Sequence, residues 1–393
     1  MKSSNKDVSK IEINKFERRY DLDWLRVLAT ILVFLFHCSR FFDLLDWHVK
    51  NDEQDIGITV AQVMLSGFGM PIFFIIAGMA TFYALSYVKS GLYLKDRVIR
   101  LGIPLVVGMF THVSIQVYLE KVSWGTFKGS FFEFYPLYFK GLQGFGGNFA
   151  WTGYHLWFLL VLLIFTFITI KPFNYLRKEE NLIKISRLPT LLQKPGMILL
   201  LAIPLIFLEF INIFIEYLEF GSWNLFSYLL VFIYGYIFAS NNKFKQVIEK
   251  SRNISIVFGV ITTILILIIM IFFQDQLLDD SLQLSDFLFY GLRVINGWSW
   301  MIVVIGLFSE YLNRDHKSRK FLNEIVMPFY VLHQTIIIIV GFYIVSLDLN
   351  ILAKFLIISS LSFVIIMGLV LIIRKVNVLR FIFGMRIKRK NKT

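Results

Sequence analysis

The sequence predicts an all-α fold, a polytopic membrane helix bundle with about ten transmembrane helices and both termini in the cytoplasm. Hydrophobic residues make up 57% of the 393-residue chain and charged residues 17%. That composition is too apolar for a soluble domain, and the apolar runs reach the roughly 20 residues needed to cross a bilayer. We therefore predict a multi-pass protein of the cell membrane. The runs lie near 22–42, 60–86, 98–119, 155–170, 196–217, 222–240, 254–273, 285–311, 324–346 and 351–373.

The distribution of basic residues predicts the orientation. Most of the 40 Lys and Arg residues fall in the two tails and in alternate loops. Cytoplasmic loops carry this excess in membrane proteins, so the N-terminus is expected inside, and an even number of spans returns the C-terminus to the same side. The net charge of +13 then marks the lipid bilayer as a partner and not nucleic acid. The loops on the opposite side carry only five basic residues: Lys50, Lys121, Lys128, Lys140 and Lys354.

The chain divides into a basic cytoplasmic N-terminal tail (1–21), one transmembrane domain (22–374) and a basic cytoplasmic C-terminal tail (375–393). The first apolar run follows basic residues, as in a secretory signal peptide. It is too long for one, contains Arg26 and His37, and lacks a small-residue cleavage site. We expect a retained span.

Two ionisable residues share one face of this first helix. Arg26 and His37 are eleven positions apart, which corresponds to three turns plus about 20° and to a separation of about 16 Å along the axis. An ionisable side chain within a membrane is costly unless it lines a cavity or meets a partner. The pair therefore indicates a polar pathway, although a lone His in a helix is also commonly a packing residue.

Standard catalytic and metal signatures do not occur. The sequence contains no Gly-x-Ser-x-Gly elbow, P-loop or dinucleotide fingerprint. No two of its six His residues have the i, i+3 or i+4 spacing of a metal site, so neither a metal nor a permanently bound cofactor is expected. The single Cys38 is adjacent to His37 but about 100° away around the helix, which favours a packing role.

The loop at 120–154 is rich in Gly and aromatic residues. Such a loop can form a reentrant lid or a platform on which Trp151 or Tyr154 stacks on a sugar, with His155 nearby. An ordinary aromatic belt at the membrane interface is the alternative. In later spans Glu209 and Arg293 are expected to pair, either as a structural ion pair between helices or as part of an acceptor pocket.

Five motifs together carry a family resemblance. The run LDWLRVLATILVFLFH resembles the first helix of the integral-membrane acyltransferase family three, and DRVIRLGIP supplies that family's Arg-x-x-Arg as Arg97 and Arg100. PIFFIIAG, GYHLWFL and MPFYVLHQT are similar to three further motifs in the expected order. The nearest branch includes glucan biosynthesis protein C. One departure is Ala77, which stands where the family usually has Ser.

The resemblance implies transfer of an acyl group, commonly acetyl or succinyl, from cytoplasmic acyl-coenzyme A to a hydroxyl of an extracytoplasmic glycan or glycolipid. His37 would act as general base or through an acyl-imidazole intermediate, two mechanisms that the sequence leaves open. Arg26 would orient the thioester, hold the coenzyme or pair with Asp23. Alternatively, its side chain extends to place the guanidinium group among the inner lipid headgroups.

Arg97 and Arg100 would hold the phosphates of coenzyme A, with topology anchoring as the alternative. His333 would line the acyl channel, and Trp151, Tyr154, His155, Glu209 and Arg293 are candidates for acceptor binding. A transporter or flippase of a lipid-linked saccharide is the rival function, because buried Arg and His residues also mark transport pathways. The oligomeric state, the acyl group and the acceptor stay open.

Overall fold

The computed structural model describes residues 18–213, 219–272 and 284–388. Almost all of these residues are helical, and the only strands within them form one two-stranded antiparallel hairpin. The all-α prediction is confirmed. The α-helices are α1 (Tyr20–Ser39), α2 (Ile56–Tyr87), α3 (Ser90–Arg97), α4 (Ile103–Phe110), α5 (His112–Ser123), α6 (Phe131–Tyr138), α7 (Trp157–Leu176), α8 (Glu179–Ile185), α9 (Leu188–Leu191), α10 (Ala202–Glu209), α11 (Leu225–Ala239), α12 (Lys243–Phe272), α13 (Leu284–Tyr311), α14 (Lys317–Ile344), α15 (Ile351–Ile373) and α16 (Asn377–Ile382).

Short 3-10 helices precede α7 (Tyr154–Leu156) and α10 (Met197–Leu201), and another follows α10 (Phe210–Ile213). The hairpin strands are β1 (Glu219–Phe220) and β2 (Trp223–Asn224), joined by a turn at Gly221 and Ser222. Ser222 has a φ of +84°.

Seven helices in the described part of the chain are long and apolar enough to cross a membrane. They are α1, α2, α12, α13, α14, α15 and the 3-10 turn with α7. The third predicted span is a pair, Ser90–Phe110 and His112–Ser123, bent by 40°. The two spans predicted at 196–217 and 222–240 contain shorter apolar helices, Met197–Glu209 and Leu225–Ala239. The multi-pass prediction holds, whereas the count of ten is not confirmed by length and composition.

Successive long helices run in opposite directions, which gives the bundle two chemically different ends. At one end, which we call the basic end, ion pairs connect segments that are distant in sequence. Arg319 pairs with Asp23 at 2.5 Å, and Glu324 pairs with both Arg374 and Arg380 at 2.7 Å. The opposite end carries the 120–154 loop, and we call it the aromatic end. Contacts also link neighbouring basic loops: Ser90 donates to Asn174 at 2.9 Å, the Gly196 backbone nitrogen donates to Ser251 at 3.2 Å, and Arg252 pairs with Glu310.

Two irregularities interrupt the third span. A π-helical turn (Val98–Gly102) separates α3 from α4, and Thr111, with φ −122° and ψ −96°, separates α4 from α5. π-Helical turns disturb the regular hydrogen-bond ladder and often occur at functional sites. The turn contains Arg100, whose Nε donates to the carbonyl of Gly384 at 3.2 Å, so the start of this span is fixed to the C-terminal segment.

The core depends on close contact between α2 and α11. A Cβ added to Gly78 would lie 2.0 Å from the backbone oxygen of Phe232, and one added to Gly235 would lie 2.1 Å from that of Ile75. The two glycines therefore let the backbones approach each other from both sides, as small residues do in membrane bundles. Gly78 belongs to the motif PIFFIIAG, which the sequence could not assign to packing or to catalysis.

We predict that Gly235→Ala destabilises the folded protein. Its Cβ would require the two backbones to separate, and overpacking of this kind typically costs about 1–3 kcal/mol. The thermal unfolding midpoint of the purified protein in detergent should fall. Gly368→Ala is the matched control, because a Cβ there meets no atom within 4 Å. Equal unfolding midpoints for the two variants would contradict the assigned packing.

Candidate active site

Three cavities lie along α1, and His37 lines two of them. An aromatic-end cavity of about 700 Å³ is lined by His37 together with residues of the 120–154 loop. A side cavity of about 130 Å³, also lined by His37, lies between α1 and α2. A basic-end cavity of about 250 Å³ is lined by Arg26, Arg97 and Arg100. Among the residues that the structure describes, Tyr330 is the one that lines both end cavities.

His37 lies in the last turn of α1 and is half-buried. Its ring stacks on Trp47 with the centroids 6.1 Å apart and the planes at 11°, and it lies 5.2 Å from the ring of His333. Within the described chain its Nδ1 is buried with no hydrogen-bond partner. The ring is thus fixed by aromatic contacts while one nitrogen remains available.

His333 projects from α14 and is almost fully buried. Its Nδ1 lies 2.5 Å from the carbonyl oxygen of Tyr330. Since a carbonyl can only accept, this nitrogen carries the proton, and Nε2 has a free lone pair. That Nε2 is also buried without a partner among the described residues. Two unpartnered ring nitrogens therefore occur on neighbouring rings, which is unusual because buried polar groups are normally hydrogen-bonded.

A buried chain of hydrogen bonds supports the cavity wall beside these rings. Nδ1 of His48 lies 2.5 Å from the carboxylate of Glu120, and its Nε2 lies 3.0 Å from the amide nitrogen of Gln334. Gln334 donates to the Gln116 oxygen at 3.1 Å, and the Gln116 amide lies 3.2 Å from Nδ1 of His155. Five side chains from four separate segments are joined in one line.

The donor and acceptor roles along this chain determine the tautomer of each ring. Nε2 of His155 lies 3.0 Å from a backbone carbonyl of α14, so it must carry the proton and Nδ1 accepts from Gln116. Gln334 donates both to Gln116 and to His48. The proton of His48 is therefore on Nδ1 and is donated to the carboxylate. Both rings are neutral and fully engaged, in contrast to His37 and His333.

The loop between α1 and α2 holds Trp47 and His48 in place. It folds around Asp43, which pairs with Arg40 at 2.7 Å and with Lys50 at 2.9 Å. The Lys50 ammonium also donates to the carbonyl of Arg40 at 2.8 Å, and burial lowers its pKa against the opposing effect of the Asp43 carboxylate. This ion cluster makes the loop a rigid support for the ring stacked on His37.

At the basic end, the arginines predicted from the sequence come together. Arg26 of α1 faces the same cavity as Arg97 and Arg100 at the start of the third span. The guanidinium of Arg97 lies over the Tyr93 ring at 4.9 Å, while its Nε is buried without a hydrogen-bond partner in the described structure. Three cations with unused donor capacity line one cavity, an arrangement that suits an anionic group.

One contact that the sequence suggested does not form. A pair with Asp23 was one of the roles open to Arg26, but the Asp23 carboxylate pairs with Arg319 at 2.5 Å and lies 3.8 Å from Arg18. Asp23 instead ties the start of α1 to α14, and Arg26 stays directed to the cavity.

The 120–154 loop folds back over the aromatic-end cavity. Gln143, Gly144, Trp151 and Tyr154 all line it. The indole nitrogen of Trp151 donates to the Gln143 carbonyl at 3.1 Å, and the Tyr154 hydroxyl donates to the Glu120 carboxylate at 3.0 Å. The loop therefore covers a cavity, which favours the lid over an interfacial belt.

Glu209 and Arg293 form the predicted pair, with 3.2 Å between Oε2 and Nη2. Glu209 also accepts a hydrogen bond from the backbone nitrogen of Asn224 at 2.8 Å. Neither residue lines the aromatic-end, side or basic-end cavity. The geometry favours the structural ion pair over a place in the acceptor pocket.

Sequence reasoning did not identify several residues of the site. Tyr330 and Gln334 lie within the motif MPFYVLHQT, close to His333. Their place in this motif was the sequence signal that could have identified them. Gln116 and Glu120 are four positions apart on α5, so a buried polar face could have been expected. His48 and Trp47 lie in a loop with no pattern to indicate them. Within the described ranges no group of three or more His, Cys, Asp or Glu side chains is arranged to hold a metal ion.

Comparison with known proteins agrees with the geometry. Residues 19–374 match the acyltransferase domain of acyltransferase family three. Curated relatives are named glucans biosynthesis protein C: those of Salmonella paratyphi B and Salmonella enteritidis PT4 are 29% identical over 197 residues, 48% of this chain and 46% of theirs. That of Salmonella heidelberg is 29% identical over 171 residues, 42% of this chain and 41% of its own.

The alignments thus span about half the length of these curated relatives. No solved structure matches. The family match covers most of the sequence, and the chain belongs to acyltransferase family three.

Proposed function

We propose that the protein transfers an acyl group from cytoplasmic acyl-coenzyme A to a hydroxyl of an extracytoplasmic glycan or glycolipid. One observation carries this proposal: His37 lines the aromatic-end cavity, and Tyr330 lines both that cavity and the arginine-lined cavity from the opposite end. A transferase that joins a donor from one side to an acceptor from the other needs this arrangement.

The basic end suits the donor. Coenzyme A carries several phosphate charges, and guanidinium groups bind phosphate through strong charge-assisted hydrogen bonds. Arg97 retains an unpartnered Nε, and Arg26 and Arg100 line the same cavity. The apolar wall between these arginines and Tyr330 includes Ile76 and Ala77, which suits the uncharged arm that carries the thioester.

The aromatic end suits a sugar acceptor. Its cavity combines aromatic faces, including Trp151 and Tyr154, with polar groups such as Gln143 and Glu219. Aromatic rings pack on the apolar faces of sugars while polar side chains bind the hydroxyls. The name shared by the curated relatives, glucans biosynthesis protein C, supports a glycan as the acceptor class.

The proposed acyl transfer uses the unpartnered ring nitrogen of His37 as a base between the acyl-coenzyme A and the acceptor. The acceptor hydroxyl attacks the thioester carbonyl, a C–O bond forms and the C–S bond breaks. His37 takes the hydroxyl proton during attack and returns it to the departing thiolate, so the imidazole ends neutral. His333 packs beside the ring with its own Nε2 lone pair free, where it can orient an imidazolium N–H. An acyl-imidazole intermediate is the competing route.

We predict that His37→Ala reduces acyl transfer by about 10²–10⁴-fold. Release of free thiol from acetyl-coenzyme A is measured with purified protein and envelope glycans of a strain that lacks it. His112→Ala is the control, because His112 lies outside the aromatic-end, side and basic-end cavities. Near wild-type turnover of a folded His37→Ala protein would remove this residue from catalysis.

The double variant Arg97→Gln with Arg100→Gln should raise the KM for acetyl-coenzyme A by at least about tenfold, because each charge-assisted hydrogen bond contributes about 1.5–3 kcal/mol. The control is Lys184→Gln with Arg187→Gln, which removes the same charge from exposed positions of a loop at the same end. If both double variants raise the KM equally, general charge and not phosphate binding explains the effect.

The orientation predicts which positions react from outside. On a Cys38→Ala background, a membrane-impermeant maleimide should label the Phe132→Cys variant in intact cells and the Leu191→Cys variant only after permeabilisation. Both positions are well exposed, at 85% and 68%, and they lie at opposite ends of the bundle. The reverse pattern would place the arginine cavity outside and contradict the proposed route of the donor.

A further inference from the structure

The side cavity has no place in the route between the two ends, although it adjoins the aromatic-end cavity at His37. His37, Val33, Met70 and Trp157 line both cavities. The side cavity continues between α1 and α2 along Gly69, Ser66 and Leu65, beside the hairpin turn.

Acyl transfer requires three separate spaces around the reacting carbon. The departing thiol occupies one, the attacking hydroxyl a second, and the substituent of the acyl group a third. The basic-end cavity and the aromatic-end cavity account for the first two under the proposed function, on which this inference rests. The side cavity is a third space, and it is lined by His37.

The lining of this cavity restricts what it can hold. Of its eleven residues, none is Lys, Arg, Asp or Glu, and most are apolar: Leu32, Val33, Phe36, Leu65, Gly69, Met70 and Trp157. The Ser66 hydroxyl already donates to the backbone oxygen of Val63 at 2.8 Å. A carboxylate in this space would lose its hydration without gaining a cation.

The volume sets a second restriction. A dry apolar cavity of about 150 Å³ holds one benzene-sized group, and the side cavity has a similar volume, about 130 Å³. An alkyl group of a few carbons fits, and a long fatty acyl chain does not. We propose that the side cavity binds the alkyl part of the acyl group, and that the donor therefore carries a short, uncharged acyl chain such as acetyl or butyryl, and not succinyl.

Gly69 lines the side cavity without contributing a side chain. A Cβ added to Gly69 meets no atom within 4 Å, so a larger residue can enter the cavity without displacing its neighbours. Gly69→Leu fills the space that the outer carbons of a butyryl group would occupy. The smaller acetyl group does not reach this space and should be affected less. This residue is thus a determinant of acyl length.

The test compares the binding of acetyl-, butyryl- and succinyl-coenzyme A to the purified protein by calorimetry. Wild type should bind succinyl-coenzyme A at least about tenfold more weakly than butyryl-coenzyme A. Gly69→Leu should lower the ratio of butyryl to acetyl affinity by at least about tenfold, since the added side chain competes for the same volume. Gly69→Ala, a smaller change, should shift the ratio in the same direction.

Gly368→Leu is the matched control, because it makes the same replacement within a helix at a position that is also free within 4 Å; it should leave the ratio unchanged. Succinyl-coenzyme A bound as tightly as butyryl-coenzyme A, or a ratio unaffected by both Gly69 variants, would overturn the assignment of the cavity. A wild-type protein that binds none of the three thioesters would instead overturn the proposed function.

Discussion

The bundle depends on satisfying polar groups without water. Hydrocarbon offers no hydrogen bonds, so each buried donor or acceptor in a membrane bundle must find its partner within the protein. The line from Glu120 through His48, Gln334 and Gln116 to His155 meets this requirement with every ring in one tautomer. It joins the loop after α1 to α5, α7 and α14, and so it holds together the elements that enclose the cavities.

Among the buried side-chain atoms that lack a partner in the described chain, two are nitrogens of neighbouring rings. His37 and His333 lie 5.2 Å apart between ring centroids, and each contributes one of them. Leaving such groups unpaired costs stability, which is usually tolerated only where function requires it. Tyr330, which lines both end cavities, lies next to His333 with 5.5 Å between the ring centroids, and a substrate in either cavity can supply a missing partner.

The sequence predicted the helical membrane fold, the Arg26–His37 stripe and the convergence of Arg97 and Arg100, because periodicity and charge bias are local properties. It could not settle the number of spans. The third predicted span contains a π-helical turn and bends at Thr111, and two others contain helices too short to cross alone. Hydropathy does not report such breaks, since the residues within them remain apolar.

The pairing of Glu209 with Arg293 was predicted, but two other contacts between distant residues were not. Asp23 is three residues from Arg26, a spacing that suits a local ion pair, yet it bonds to Arg319 of another helix. The proximity of His48 to Glu120, 72 positions apart in sequence, follows from the folding of a loop around Asp43. Neither contact leaves a periodic trace, so only the tertiary structure reveals them.

Helix burial explains where the site formed. In α14, 67% of the most apolar stretch is buried, compared with 22% in α12 and 28% in α15. A helix surrounded by protein can present polar side chains at several angles, because each meets other side chains instead of lipid. α14 accordingly supplies Tyr330 at both end cavities, His333 beside the reactive ring and Gln334 within the hydrogen-bonded line. The peripheral helices, whose faces contact lipid, contribute no residue to the lining of the aromatic-end, side and basic-end cavities. Burial of the whole helix is not required, because α1 supplies Arg26 and His37 with 33% of its most apolar stretch buried, from a face that lines the cavities.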